Sequence, residues 1–94
     1  MTAAELYAIV EPAREWWPEE MKWSDFAGHY WLQGHELNAK YLPITTSAAI
    51  LILEGHFSRV LAERGRHYGF DGNSWNGHPT RIAALTAAVL EIKG

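Results

Sequence analysis

The side chains best suited to chemistry gather in one stretch, GRHYGFDGNSWNGHPTR, from Gly65 to Arg81. Arg66, His67, His78 and Arg81 supply positive or titratable groups there, and Tyr68 and Trp75 supply flat faces for stacking. An arginine beside an aromatic ring suits a planar anion, because the guanidinium fork takes a phosphate while the ring takes a base. Arg81 falls in the first turn of an expected helix, where free backbone N–H groups also attract anions. Together Arg66, His67, Tyr68, Trp75, His78 and Arg81 form the candidate site for a nucleotide or another phosphorylated small ligand. The competing reading makes Asp71-Gly72 and Asn76-Gly77 plain turn dipeptides, with the aromatic residues plugging the end of the domain.

Catalytic and metal chemistry find less support. Gly72-Asn73-Ser74-Trp75-Asn76-Gly77 misses the nucleophile elbow, because its closing glycine stands one place too late and no strand precedes it. His29 and His35 are six places apart, which on a helix turns them roughly 120° from each other. Glu54 and His56 are two apart, on nearly opposite sides. Neither an HExxH nor a paired Glu-x-x-His pattern occurs. A hydrogen bond between His35 and Glu54 across a helical hairpin is expected to be structural. No catalytic residue, metal ligand or cofactor is assigned, and the chain is read as non-enzymatic.

Gly65-Arg66-His67-Tyr68-Gly69, followed by Asn73-Ser74-Trp75, resembles a turn in phage dATP/dGTP diphosphohydrolase-like proteins. That resemblance implies a small enzyme of nucleotide metabolism. The spacing is longer here, however, and the acidic, histidine-bearing half expected downstream is missing. The enzyme reading therefore ranks behind both binding readings.

The second concentration of interest is aromatic. Five tryptophans occur in 94 residues, and a domain of this size does not hide five indoles completely. Trp23 lies on a regular apolar stripe and is expected in the core. Trp16 and Trp17 are adjacent, about 100° apart on a helix, so they are not buried equally. Trp31 lies off the stripe. Tryptophan, tyrosine and arginine most often dominate interface energy, which makes Trp16, Trp17 and Trp31 the candidate partner-binding residues.

The totals bound the remaining choices. A chain of 94 residues is read as a single helical domain over 1–94. A net charge of −3 and a pI near 5.9 argue against a nucleic-acid backbone as partner. No cysteine is present, which removes disulfides and thiolate chemistry. The longest apolar run, Ala48–Leu53, falls far short of the roughly 20 residues of a bilayer span. The first thirteen residues contain no lysine or arginine, so no signal-peptide n-region is read. A cytoplasmic location is expected, with no membrane association.

The elements that must position these residues read as helices. Thr2-Ala3-Ala4-Glu5 has the form of a capping box, and Pro12 limits the helix that follows it. Trp23, Phe26, Tyr30, Gly34, Leu37 and Tyr41 recur at spacings of three and four, which predicts a helix over about 19–42 ended by Pro43. Thr45 or Thr46 caps the next helix, with Ile50, Leu53, Phe57, Val60 and Leu61 as its buried face and Gly65 at its end. A last helix begins near Pro79, burying Ile82, Leu85, Val89 and Ile92 beside a smooth surface of Ala83, Ala84, Ala87 and Ala88. The expected fold is all-α: a compact bundle of about four helices with a long ordered loop between the last two. The expected function is a non-catalytic adaptor or inhibitor that presents an aromatic surface to a protein partner, with homo-oligomerisation through the alanine face.

Overall fold

A computed structural model describes residues 1–26, 28–33, 41–66 and 77–94, and of Trp31, Leu32, Gln33, Tyr41 and Leu42 it describes the backbone only. It contains three α-helices and a three-stranded antiparallel sheet, not an all-α bundle of four helices. Helix α1 spans Ala3–Val10 and continues into a kinked 3₁₀ segment, Glu11–Trp16. Strands β1 (Met21–Ser24), β2 (His29–Gln33) and β3 (Tyr41–Ile44) follow, and α2 (Thr46–Glu63) and α3 (Arg81–Lys93) complete the chain.

The capping signals near the chain start behave as their chemistry dictates. Thr2 Oγ1 accepts the Glu5 N–H at 3.2 Å, which satisfies one of the four orphan donors of α1. Pro12 lacks a donor and stands at the start of the 3₁₀ segment, where none is needed. Leu6, Val10 and Ala13 are buried along this first stretch.

The helix expected over 19–42 is replaced by the sheet. Trp23 pairs with Tyr30 and Lys22 with Trp31 across β1–β2, while Tyr30 pairs with Ile44 and Trp31 with Pro43 across β2–β3. Alternation sends Met21, Trp23 and Tyr30 to the face that packs on the helices, and leaves Lys22 and His29 in water. Phe26, placed on the buried helical stripe by its spacing, instead sits fully exposed at the β1–β2 turn. Gly28 closes that turn at φ +65°, with its N–H donated to the Ser24 carbonyl at 2.8 Å. Pro43 does not end a helix. It lies in edge strand β3, where a missing donor can face outward.

Helix α2 is capped by Thr45, whose Oγ1 accepts the Ala48 N–H at 3.2 Å. Its far end closes in a Schellman turn: Arg66 N–H bonds the Leu61 carbonyl at 2.8 Å and Gly65 N–H the Ala62 carbonyl at 3.0 Å. Gly65 takes φ +76°, as a terminating glycine should. Helix α3 starts at Arg81 rather than Pro79, because Thr80 supplies the capping oxygen to Ala83 N–H at 3.1 Å. The core joins Leu6 and Val10 to Leu53, Phe57, Leu61, Leu85, Val89 and Ile92, with Met21 and Tyr30 from the sheet.

Two polar contacts set the direction of α3 against α2. Arg81, at the start of α3, reaches Glu54 in the middle of α2. Arg64, at the end of α2, donates to the Ile92 carbonyl at the end of α3 at 2.8 Å. The two helices therefore run side by side in the same sense. A chain leaving Gly65 must travel back by roughly 16 Å, about eleven helical residues, to begin α3 at Arg81. Among the described residues no helix is long and apolar enough to cross a membrane.

Candidate functional site

The arginines proposed for an anion are each held by a carboxylate. Arg66 lies 3.7 Å from Glu91, and Arg81 donates Nε to Glu54 Oε1 at 2.7 Å while Nη2 bonds the same oxygen. Glu54 and Glu91 sit toward opposite ends of the α2–α3 pair, so Arg66 and Arg81 do not converge. Glu54 is only 3% exposed, and its other oxygen, Oε2, makes no hydrogen bond among the described residues. The bond to Glu54 raises the Arg81 guanidinium further above its ordinary value. His78 is half-buried and lines a shallow hollow with Ala87, Leu90 and Glu91 of α3 and with Gly94, so it shares a wall with the carboxylate that pairs with Arg66. His67, Tyr68 and Trp75 lie outside the described residues, as does the expected His35 contact with Glu54.

The aromatic residues form a more continuous arrangement. Tyr7 of α1 stacks on Trp23 of β1, with ring centroids 4.5 Å apart and planes 21° apart. Tyr30 presents its edge to Trp23 at 4.8 Å and approaches Trp17 at 5.9 Å, and Tyr7 meets Trp17 edge-on at 6.1 Å. Such pairs add roughly 0.5–1.5 kcal/mol each beyond area burial, so four rings hold the sheet against α1 and the 3₁₀ segment. Both indole donors are satisfied: Trp17 Nε1 by the Val10 carbonyl at 2.9 Å, and Trp23 Nε1 by Asp25 Oδ1 at 2.6 Å.

Charge lies over this cluster. The Arg14 guanidinium sits 5.8 Å from the Tyr7 ring centre and 5.7 Å from that of Trp17. Its Nε is 3.4 Å from Glu11 Oε2, an ion-pair distance without hydrogen-bond alignment. A hydrogen bond to Glu11 raises the Tyr7 phenol above its ordinary value. Burial raises the Tyr30 phenol much further, with smaller contributions from Tyr7 and Glu11.

Beside the cluster a hollow of about 390 Å³ opens to solvent, lined by Arg14, Trp17, Pro18, Met21, Lys22 and Trp23, with Glu19 as its acidic member. Its lining comes from strand β1 and from the end of the 3₁₀ segment with the residues just after it. Of the three tryptophans expected to meet a partner, Trp17 lies here. Trp16 is half-buried under Arg64, whose guanidinium lies 5.7 Å from its ring. Trp31 stands on β2, its side chain outside the described residues. Sequence reasoning missed Trp23 and Lys22 as site residues because it laid 19–42 out as one helix. The signal available was local: aromatic residues at 29–31 flanked by the turn formers Ser24-Asp25 and Gly28.

No family model matches the chain, and the searches of curated proteins and solved structures return no significant match. The functional reading rests on this geometry.

Proposed function

We propose that the chain is a small non-catalytic binding protein whose contact surface is the Arg14–Trp17–Trp23 hollow together with Phe26 at the neighbouring turn. The hollow carries the reading: Trp17 and Trp23 are half-buried at its wall beside Arg14 and Lys22, and Phe26, exposed at the adjoining turn, extends that apolar surface. Two half-buried indoles with an arginine and a lysine beside them supply the residue types that dominate interface energy. The protein acts as an adaptor or inhibitor, and the absence of cysteine suits a cytoplasmic setting.

A photo-crosslinking amino acid placed at Phe26, in the cells that make the protein, tests this. A discrete adduct with one protein is the expected result, against none from the same label at Leu51, which is exposed on α2. Indiscriminate adducts, or equal adducts from both positions, contradict it.

A further inference from the structure

We infer that the hollow takes an extended peptide segment as an added strand on the edge of β1 away from β2, with the pattern apolar–acidic–apolar. This rests on the reading of the chain as a protein binder and names the form of the partner. The sheet order is β1-β2-β3, so one side of β1 is bonded to β2 and the other has no strand among the described residues. The Met21 N–H is turned away from β2, donating to the Pro18 carbonyl at 3.0 Å. In an antiparallel ladder, residues alternate between bonding the neighbour and facing outward. Met21–Leu32 and Trp23–Tyr30 are therefore the non-bonded pairs, consistent with the 4.8 Å approach of the Trp23 and Tyr30 rings. The Trp23 N–H and C=O then point to the open edge, where a peptide residue can exchange both bonds with them.

The side chains on either face specify the guest. Met21 and Trp23 face the helical layer, so peptide residues opposite them enter the hollow against Trp17 and Pro18 and must be apolar. Lys22 points to the other face and is exposed, so the residue opposite it meets an ammonium. Arg14 is already paired with Glu11 at 3.4 Å and Glu19 also lines the hollow, so the preference for an acidic guest is set by exposed Lys22 on strand β1. Lysine on an edge also discourages pairing with a second copy of itself, which favours an acidic guest over a homodimer.

The test uses an acetylated, amidated hexapeptide alternating valine and glutamate, titrated into the intact chain at 0.15 M salt and followed by tryptophan fluorescence. Saturable binding is expected. The valine–lysine counterpart should bind at least about tenfold more weakly, although the net charge of the chain favours it. N-methylation of alternate valines should abolish binding, because it removes the donors that strand addition needs. Lys22→Glu should invert the order of the two peptides. No saturable binding, equal binding of acidic and basic peptides, or full binding of the methylated peptide would overturn the inference. If a Phe26 label still yields a discrete adduct while the peptides fail, strand addition is wrong and the binding reading stands; if both fail, both are wrong.

Discussion

Glu54 and Tyr30 are the two buried residues with a polar atom left unbonded among the described residues, and each makes a distinct prediction. Glu54 lies among apolar residues on α2 with one oxygen held by Arg81 and the other unbonded among the described residues. Removing one member of such a pair costs about 3–5 kcal/mol when both are buried, and less here because Arg81 is partly exposed. Arg81→Met is expected to destabilise by about 2–3 kcal/mol in urea unfolding. The double variant Glu54→Leu/Arg81→Met should recover most of that loss, since no charge is then left buried alone. Tyr30 makes a prediction about pH. Its folded phenol titrates well above the unfolded value near 10, so its contribution is whole below about pH 10 and is lost as the pH rises further. The fall in stability above pH 10 should flatten in Tyr30→Phe. At pH 7 that variant should be as stable as wild type, or about 1 kcal/mol more so, because the hydroxyl has no partner among the described residues to lose.

The helices were legible from the sequence because their signals are local and dense. Thr2, Thr45 and Gly65 mark ends by capping chemistry, and Leu53, Phe57 and Leu61 repeat often enough to define a face. The sheet was not, because strands of four or five residues give only two or three inward positions each. Trp23, Phe26 and Tyr30 fall at helical spacing by coincidence, two on strands and one at the turn between them. Period-two alternation that short cannot outweigh a six-member stripe with period 3.6, and the turn formers at Asp25 and Gly28 were the better guide. The turn itself is testable. A Cβ added at Gly28 would meet nothing within 4 Å, so the cost of Gly28→Ala is the left-handed backbone alone, about 1 kcal/mol. Gly28→Asn should cost less, as asparagine tolerates that conformation. At the other end of the sheet, Thr45→Ala should remove about 1 kcal/mol through loss of the α2 cap.

At the scale of the whole molecule, the same-sense packing of α2 and α3 recasts the stretch from Gly65 to Arg81. A long connection between adjacent helices suggested a binding loop. A return of roughly 16 Å along the helix pair takes only about five extended residues, so the packing of the helices accounts for part of that connection's length and not for all of it. Arg66 and Arg81 also serve the two ends of that pair, through Glu91 and Glu54. The alanine surface of α3 is partly spent inside the protein too, since Ala84 and Ala88 are buried. The surface left to a partner lies around the hollow, where Arg14, Lys22 and the outer faces of half-buried Trp17 and Trp23 meet solvent beside exposed Phe26. Phe26→Ser tests that surface most directly, because a wholly exposed residue can be changed without disturbing the core. Measured against the protein captured by crosslinking, the variant should keep the wild-type melting temperature and lose about tenfold or more in affinity, some 1.4 kcal/mol. Unchanged affinity in Phe26→Ser, with a loss on changing exposed Leu51 or Leu90 instead, would place the contact on the helices and contradict the account.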